Sequence, residues 1–442
     1  MPDWVEHAVW WHVYPLGFTG AGPQAPAPGT AVAHRLGKLR DWLGYAVDLG
    51  ASGLALGPVF TSGSHGYDTI DHYAIDPRLG DQEDFTALLD AAHARGLRVL
   101  LDGVFNHVGR GFPAFRRALE AGPGSADAAW FRPARPAGPG GEADYETFEG
   151  HPGLVALNHG EPAVAGYVAD VMRHWLRAGA DGWRLDAAYA VPPEFWASVL
   201  PQVRAQHPGA YLMGEVIHGD YAQIVSRSGL DSVTQYELWK AIWSSLNDHN
   251  FFELAWALER HNGFLDTFVP FTFTGNHDVT RLASRLTDDR HIAHALVLLF
   301  TLGGTPAVYY GDEQAFRGVK EDRAGGDDDI RPAFPATPAE LAPDGWPTYR
   351  LHQDLIGLRR RHPWLHRARS RMLDLANERM VYEVTQAGER LVVALSVAGT
   401  EVTALVPDVR CCLAGTAAIT AEAGAATRLT LPPHGWAILE GG

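Results

Sequence analysis

Apolar and polar positions follow two alternating patterns over roughly the first 360 residues. Short apolar runs predict buried strands: Ala8–Leu16, Gly53–Val59, Leu97–Val104, and further runs that end at Asp186, Glu215, Tyr236, Asp278 and Gly311. Longer stretches, with apolar residues three and four positions apart, predict amphipathic helices: Lys38–Leu49, Asp84–Ala94, Val164–Ala178, Pro193–Gln206, Glu237–Ser245, Phe252–His261 and Arg290–Leu302.

This alternation predicts a parallel sheet that helices cover on both faces. Eight strand-like runs, each followed by a helix or a longer excursion, fit a closed (β/α)8 barrel. The alternative is an open doubly wound sheet, which usually begins with a glycine-rich phosphate-binding turn. The sequence has no such turn after its first strand, and it has no P-loop motif. We therefore predict an α/β fold, a TIM barrel formed by residues 1–107 and 159–364.

Two segments depart from the alternating pattern. Residues 108–158, after the third strand, are rich in Gly and Pro and too long for a simple loop, so we expect a small subdomain inserted over the barrel mouth. From about Leu365 onward the pattern changes to short strands separated by turn residues: Met380–Thr385, Arg390–Val397, Glu401–Val406 and Thr427–Leu431. Residues 365–442 are therefore predicted to form a C-terminal antiparallel β-sandwich.

The charge balance argues against two classes of partner. The chain has 36 Lys and Arg against 52 Asp and Glu, a net charge of −16, which repels nucleic acid and anionic membranes. The longest apolar run, Ile292–Leu302, is too short to span a bilayer, and the N-terminus does not read as a signal peptide. Adjacent Cys411 and Cys412 favour a reducing compartment over a disulfide. We expect a cytoplasmic protein with a small neutral substrate.

Ionisable residues lie at the ends of four of the predicted strands. They are Asp102 with Asn106 and His107, Arg184 with Asp186, Glu215, and His277 with Asp278. A single Asp at a strand end is usually a helix cap or a solvated loop residue. Several at the C-terminal end of one barrel, however, predict an active site. Alternation places Arg184 and Asp186 on one face of their strand, where an internal ion pair is the structural alternative.

These segments resemble, in order, the four signature regions of the α-amylase family, glycoside hydrolase family 13. They read Asp102-Gly-Val-Phe-Asn-His107, Gly182-Trp-Arg-Leu-Asp186, Met213-Gly-Glu215-Val and Asn276-His-Asp278. His65-Gly-Tyr67-Asp68-Thr-Ile-Asp71 and Gly304–Glu313 resemble the family's segments after strand two and at strand eight. The first two signatures are most similar to the neopullulanase and cyclomaltodextrinase branch. Because the first barrel strand begins near Ala8, we do not expect that branch's N-terminal β domain.

The resemblance implies a retaining mechanism at an α-glucosidic bond. Asp186 would be the nucleophile that forms a covalent glycosyl ester, and Glu215 the general acid and then the general base. Asp278 would bind sugar hydroxyls and help to distort the ring. Retention predicts that the carboxyl groups of Asp186 and Glu215 lie about 5–5.5 Å apart.

The resemblance also implies roles for the residues around these carboxylates. Arg184 would orient Asp186 through a charge-assisted bond. His107 and His277 would bind hydroxyls of the same sugar, and Tyr67 would stack beneath it. Taken alone, each histidine and the tyrosine are equally compatible with core packing.

Asp68 and Arg331 form a further predicted pair. In family members that remove one terminal glucose, an Asp and an Arg at these places often close the pocket behind the first sugar. The alternative is that Arg331 only neutralises the acidic run Asp327–Asp329.

The proposed chemistry needs carboxylates only, so we expect no catalytic metal and no cofactor, and whether a structural calcium is bound stays open. Ala156 stands where calcium-binding family members have an Asp, and Tyr189 and Ile217 depart from the branch on the leaving-group side. We predict a hydrolase of short malto-oligosaccharides, cyclic dextrins or related α-glucosides. An α-glucosyltransferase or isomerase with the same carboxylates is the alternative, and a non-catalytic sugar-binding relative is a third. Linkage, exo or endo action and oligomeric state stay open at this point.

Overall fold

The computed structural model describes residues 1–24, 31–135, 144–323, 325–421 and 426–442. Its backbone divides into two compact units. The first comprises Met1–Asp3, Trp11–Thr234 and Arg331–Leu341. The second comprises Trp4–Trp10, Gln235–Ile330 and Ala342–Gly442. The domain boundaries predicted from the sequence stay predictions.

The first unit alternates strands and helices. Its strands are β1 (Trp10–Val13, whose first residue belongs to the second unit), β2 (Gly53–Leu56), β3 (Phe60–Ser62), β4 (Thr69–Ile75), β5 (Arg98–Gly103), β6 (His107–Gly109), β7 (Pro133–Arg135), β8 (Asp144–Tyr145), β9 (Leu154–Ala156), β10 (Gly182–Leu185), β11 (Tyr211–Gly214) and β12 (Ser232–Val233). Its helices are α1 (Pro15–Thr19), α2 (Leu36–Asp41), α3 (Leu43–Leu49), α4 (Gln82–His93), α5 (Pro113–Ala121), α6 (Pro162–Arg177), α7 (Pro193–Arg204) and α8 (Tyr221–Ser228).

Six of these strands form one sheet, in the order β12-β11-β10-β5-β2-β1. The pairs from β2 to β12 are parallel, as the alternating pattern predicts. Every position of β10 and β11 is buried, which explains why their sequence is apolar apart from Arg184. Gly182 begins β10 because a Cβ there would lie 2.1 Å from the carbonyl oxygen of Tyr211 on β11.

The segment between β5 and α6 has its own short elements. β6 pairs with β9 and β7 pairs with β8, both antiparallel. Helix α5 lies in the same segment. The Gly-rich part of the predicted subdomain, residues 136–143, lies outside the described residues.

One predicted helix is two helices in the structure. The stretch Lys38–Leu49 divides into α2 and α3 at Trp42, whose N–H bonds to the carbonyl of Leu39, three residues back, instead of four. The indole of Trp42 is buried and donates to the carbonyl oxygen of Ala336. The apolar spacing predicts the helical face but not this local tightening.

The second unit holds the remaining barrel elements and the C-terminal strands. Its helices are α9 (Tyr236–Asn247), α10 (Phe251–Phe264), α11 (Leu282–Arg285), α12 (Ile292–Thr301) and α13 (Trp346–Arg361). Its strands are β13 (Phe271–Phe273), β14 (Thr305–Tyr309), β15 (Arg369–Leu375), β16 (Arg379–Gln386), β17 (Glu389–Ser396), β18 (Val402–Pro407), β19 (Val409–Gly415), β20 (Ala418–Ala421), β21 (Ala426–Leu431) and β22 (Trp436–Gly441).

Strands β13 and β14 are parallel, whereas the C-terminal strands form two antiparallel sheets, β15-β16-β17-β22-β19 and β18-β21-β20. The four C-terminal strands predicted from the sequence correspond to β16, β17, β18 and β21. Apolar residues of both sheets, including Val392 and Leu429, form one buried cluster.

Helix α12 contains the longest apolar run, and all but one of its residues are buried, so its apolarity reflects packing. Within the part of the chain that the structure describes, no helix has both the length and the apolar character needed to cross a bilayer. Cys411 and Cys412 are exposed free thiols on β19.

Candidate active site

The carboxyl ends of β10 and β11 bring two acidic residues side by side. Leu185 pairs with Gly214 in the parallel register, so the next residues on the two strands are Asp186 and Glu215. The N–H of Glu215 bonds to the carbonyl oxygen of Leu185 at 2.8 Å. Neighbouring strands lie about 4.8 Å apart. Both carboxylates therefore leave the same edge of the sheet from adjacent strands.

Arg184 connects three carboxylates at this edge. Its Nη1 lies 2.7 Å from both oxygens of Asp102 and 3.2 Å from Oδ1 of Asp186, and its Nη2 lies 2.8 Å from Oε1 of Glu215. Burial opposes the charge of Arg184, but Asp102 and Glu215 outweigh burial and hold its pKa well above the ordinary value. All four side chains are buried. The guanidinium is therefore a fixed cation to which the acidic side chains are anchored.

The second oxygen of Glu215 is held by the backbone. The N–H of Ala187 bonds to Oε2 of Glu215 at 3.1 Å. Ala187 has a φ of 45°, in the left-handed region that residues with a Cβ rarely adopt. This strained residue directly follows Asp186, so the chain turns sharply after the predicted nucleophile and directs an amide at the predicted acid.

Tyr67 and His107 are joined to the same network. The hydroxyl of Tyr67 donates to Oδ2 of Asp102 at 3.1 Å. Nε2 of His107 lies 3.1 Å from the carbonyl oxygen of Tyr67, and its Nδ1 lies 3.1 Å from the amide nitrogen of Asn106. Burial lowers the pKa of His107 to about 3, so its ring is neutral at pH 7.

Residues of the inserted segment pack against this group. The ring of Phe148 stacks on His107, with centroids 4.7 Å apart. Tyr189, three residues after Asp186, donates its hydroxyl to Oε1 of Glu149 at 2.7 Å. The ring of His218 lies 4.9 Å from that of Tyr189. The inserted segment therefore places an aromatic ring, Phe148, and a carboxylate, Glu149, in contact with residues next to Asp186 and Glu215.

The described contacts of Asp68 are local. Its carboxylate accepts bonds from the N–H of Ser64 at 2.9 Å and from the Ser64 hydroxyl at 2.8 Å. Arg331 lies with its guanidinium carbon 4.7 Å from the ring centroid of Tyr14. The Asp68–Arg331 pair stays a prediction.

His277 and Asp278 lie together in the second unit. Nε2 of His277 is 3.0 Å from Oδ2 of Asp278. The N–H of Asp278 bonds to Oδ1 of Asn276, whose amide donates to the hydroxyl of Tyr236. His277 is buried, whereas the Asp278 side chain is 32% exposed. The loop after β13 therefore holds the imidazole inside and leaves part of the Asp278 carboxylate accessible.

The structure brings most of the predicted site residues of the first unit into one hydrogen-bonded group. Asp102 joins this group although the sequence assigned it no role beyond its place at a strand end, where it begins the signature Asp102–His107. It is fully buried and bridges Arg184 and Tyr67. The register of β5 and β10 places Arg184 beside Asp102. The signal in the sequence was a charged residue on each of two adjacent buried strands, which must pair with another polar group.

Comparison with known protein families gives a specific match. The model described as the alpha-amylase catalytic domain matches residues 35–370. A cyclomaltodextrinase of Geobacillus thermopakistaniensis is 30% identical over 421 residues, covering 89% of this chain and 69% of that protein. The intracellular maltogenic amylase of Bacillus subtilis is 30% identical over 346 residues, covering 72% of this chain and 57% of that protein. The chain therefore spans less than two thirds of the second relative's length.

The fold is similar to that of solved structures. The native form of the Nostoc punctiforme debranching enzyme aligns over 100% of this chain and 99% of its own, with a TM-score of 0.85 and 28% identity. This match, with the family model, confirms the predicted α-amylase-type TIM barrel with a C-terminal antiparallel sheet domain. The names of the two curated relatives belong to the branch that the signature segments indicated.

Proposed function

The chain belongs to the α-amylase family and is a glycoside hydrolase, and on that basis we propose that it cleaves short malto-oligosaccharides and cyclic dextrins with retention of configuration. In all these substrates the bond that is cleaved joins the anomeric carbon of one sugar to an oxygen of the next, so one mechanism serves for all of them. The catalytic residues we propose are Asp186, Glu215 and Asp278. Tyr67, Asp68, His107, Arg184, His277 and Arg331 are the proposed substrate-binding residues.

One observation carries the proposal: a single buried guanidinium, Arg184, contacts both Asp186 and Glu215. Retaining glycosidases need two carboxyl groups about 5–5.5 Å apart. The position of Asp186 and Glu215 after paired residues of adjacent strands supports such a pair. Three carboxylates that share one guanidinium also leave the site negative, which favours the positive, oxocarbenium-like transition state of glycoside cleavage.

In the proposed first step, a carboxylate oxygen of Asp186 attacks the anomeric carbon. The bond from that carbon to the glycosidic oxygen breaks as Glu215 donates its proton to the leaving oxygen. In the second step, the Glu215 carboxylate takes a proton from water, whose oxygen attacks the same carbon and releases Asp186. Two inversions restore the original configuration, so the new reducing end is the α-anomer.

The contacts of Arg184 suit both steps. Its bond to Asp186 keeps the attacking carboxylate ionised and oriented. The amide of Ala187 holds the other side of Glu215, so the carboxyl group has two fixed neighbours before substrate binds. Preorganised groups of this kind lower the barrier because they need no reorientation during the reaction.

Transfer to a sugar hydroxyl is the second candidate function. It differs only in the acceptor that attacks the glycosyl ester, which is a sugar hydroxyl instead of water. The hydrogen-bonded pair Tyr189 and Glu149 lies beside Glu215, where this acceptor would bind. A non-catalytic sugar-binding role is disfavoured because both carboxylates and their guanidinium partner are present. We further propose that the protein is cytoplasmic, where imported oligosaccharides are its substrates.

The test is a time course of products from maltotetraose and from a cyclic dextrin, resolved by chain length, with the anomer of each new reducing end read by NMR. The Glu215→Gln variant serves as the inactive comparison. Glu389→Gln, an exposed residue on β17, is its matched control. Shorter products that appear first as the α-anomer support the proposal.

Three results would contradict it. A β-anomer would exclude retention, full turnover by Glu215→Gln would exclude the assigned acid, and products longer than the substrate would move the function to transfer. Glucose as the sole early product would indicate the closed pocket predicted for Asp68 and Arg331, whereas early maltose would indicate an open cleft.

A further inference from the structure

A second cluster of ionisable residues lies in the second unit and involves none of the residues assigned to catalysis. It contains Asp288 and His291, which both precede α12, and His434 in the turn between β21 and β22. Nε2 of His291 is 3.0 Å from Nδ1 of His434. One ligand atom from each of the three residues lies within 4.8 Å of the other two.

The distance between the two imidazole nitrogens suits a shared metal ion. Metal–nitrogen bonds to histidine are about 2.0–2.1 Å, so two nitrogens 3.0 Å apart would enclose an angle of about 94° at the ion. This angle is compatible with five- or six-coordinate geometry, with water completing the shell. The carboxylate of Asp288 supplies a third, anionic ligand on the same side.

The surrounding structure fixes both rings. His291 is 1% exposed, so it cannot turn freely toward solvent. The backbone of His434 has a φ of 52°, and its N–H bonds to the carbonyl oxygen of Ala398. The 3.0 Å contact between Nε2 of His291 and Nδ1 of His434 is a hydrogen bond, which holds the two rings together. The two nitrogens are therefore preorganised rather than brought together by chance.

Two further imidazoles surround His291. The ring of His294 is 5.1 Å away, and its Nε2 lies 2.9 Å from the carbonyl oxygen of Ser396. The ring of His249 is 5.8 Å away, and its Nδ1 lies 2.8 Å from Glu378. Four imidazoles thus converge where the start of α12 meets the C-terminal strands. Nitrogen donors at this density favour zinc, nickel or copper over calcium or magnesium.

We propose that Asp288, His291 and His434 bind a divalent transition-metal ion of the zinc class, which links the start of α12 to the β21–β22 turn. The proposed role of the ion is structural: an ion that binds the folded chain but not the unfolded chain raises the free energy of unfolding. The site is independent of the proposed hydrolase activity.

Arg290 competes for one of the ligands. Oδ1 of Asp288 accepts bonds from the N–H of Arg290 at 3.0 Å and from its Nε at 2.9 Å. Oδ2 accepts from Nε at 3.1 Å and from Nη2 at 2.5 Å, so the guanidinium engages both carboxylate oxygens. A guanidinium on the carboxylate lowers the negative charge available to a metal. We therefore expect Arg290→Ala, which removes an exposed side chain, to bind the ion several-fold more tightly than the wild type.

The experiment uses the full chain without a histidine tag, stripped with EDTA and titrated with Zn²⁺. Binding is followed by equilibrium dialysis and by the melting temperature, Tm. The key variant is His434→Asn. Asn tolerates the left-handed backbone, and its amide can bond to Nε2 of His291, but it is a poor ligand for zinc. Asp288→Asn is the second variant, in case the first alters folding.

The matched control is His34→Ala. His34 is exposed and belongs, with the half-buried Asp81 and Asp84, to the other cluster of possible metal ligands among the described residues. The two acids already cap α4. We expect one Zn²⁺ per chain and a rise in Tm of at least about 2 °C in the wild type and in His34→Ala. Both effects should be lost in His434→Asn and in Asp288→Asn.

The proposal is overturned by no zinc binding in the wild type, by unchanged binding in both site variants, or by loss of binding in His34→Ala alone. Hydrolase activity is measured in parallel on each sample. Since neither readout depends on turnover, an inactive protein that binds zinc would refute the proposed function while supporting the metal site.

Discussion

Asp102 and Arg184 face each other across adjacent parallel strands, and Nη1 of Arg184 lies 2.7 Å from both carboxylate oxygens of Asp102. Asp102 is fully buried and also accepts the hydroxyl of Tyr67. Arg184 in turn contacts Asp186 and Glu215. Asp102 is thus a positioning residue: it holds the guanidinium that orients the two proposed catalytic carboxylates, and it does not itself lie at a strand's last position.

The first prediction concerns Asp102→Asn, which keeps the shape of the side chain and removes its charge. Arg184 would lose its closest anionic partner but keep two others, so we expect a destabilisation of about 1–3 kcal/mol, below the cost of breaking an isolated buried pair. Because the proposed nucleophile would be less precisely held, kcat/KM should fall about 100-fold. Urea unfolding and steady-state kinetics on maltotetraose measure the two effects.

Asp144→Asn, an exposed residue on β8, is the control for this substitution. It should leave both quantities unchanged. Wild-type kcat/KM in Asp102→Asn would show that Arg184 is positioned without Asp102.

The second prediction separates proton donation by Glu215 from a general loss of structure. Glu215→Gln cannot protonate the leaving oxygen, so it should slow maltotetraose cleavage by about 100- to 10,000-fold. α-Glucosyl fluoride needs little protonation to leave, so its first-step rate should fall far less. Equal losses on both substrates would argue against Glu215 as the acid.

The network around Arg184 also shows what the sequence can predict. The apolar runs predicted β10 and β11, and Asp186 and Glu215 were predicted from their places at the ends of these runs. The role of Asp102 was not predicted, because it depends on the register between β5 and β10, which apolar patterns do not contain. Likewise, the carboxylate of Asp68 bonds to Ser64 through turn geometry, which the family resemblance does not describe. Local pattern therefore predicts elements and strand ends, whereas pairing across the sheet needs the structure.

The third prediction tests Tyr67 as a stacking surface for sugar. Tyr67→Phe removes only the hydroxyl, which donates to Asp102, so KM should change by less than about threefold. Tyr67→Ala removes the ring and should raise KM about 10-fold. Tyr73→Ala, which truncates a 40% exposed ring, is the control. An unchanged KM in Tyr67→Ala would assign Tyr67 to packing alone.

The fourth prediction concerns a buried ion pair in the second unit. Nη1 of Arg281 donates to Oδ1 of Asp312 at 2.9 Å, and neither side chain is accessible. Arg281→Met would leave the carboxylate buried without its cation, so we expect the free energy of unfolding to fall by about 3–5 kcal/mol. Adding Asp312→Leu should recover most of that loss.

The exposed pair Arg117 and Asp127 is the comparison. Arg117→Met should cost less than about 1 kcal/mol, because solvent screens the pair. Equal losses in the free energy of unfolding for Arg281→Met and Arg117→Met would show that burial does not determine how much the Arg281–Asp312 pair contributes to stability. Guanidinium chloride unfolding at pH 7 measures the wild type and all three variants.

The last prediction concerns the pH dependence of stability. Burial lowers the pKa of His72 and of His261 to about 4 each. The unfolded value is about 6.5. Between these two pH values each histidine is protonated in the unfolded chain but neutral in the folded chain. Its contribution to the free energy of unfolding is therefore complete above about pH 6.5 and is lost as the pH falls toward 4.

Hydrogen bonds explain why both rings stay neutral in the folded chain. Nε2 of His72 lies 2.9 Å from the carbonyl oxygen of Val104, and its Nδ1 lies 3.1 Å from the hydroxyl of Tyr167. Nε2 of His261 lies 2.7 Å from the carbonyl oxygen of Gly303. In each ring one nitrogen donates to a carbonyl, and protonating the other would place a charge in the core.

Each such histidine should therefore contribute a slope of about 1.4 kcal/mol per pH unit between pH 6.5 and 4. Denaturant unfolding at pH 7, 6, 5 and 4 measures that slope. His261→Gln should make it shallower because one neutral buried imidazole is removed, whereas His7→Gln, at an exposed position, should leave it unchanged. A free energy of unfolding that stays constant from pH 7 to pH 5 would mean that these imidazoles are protonated in the folded protein, with their burial relieved by local opening.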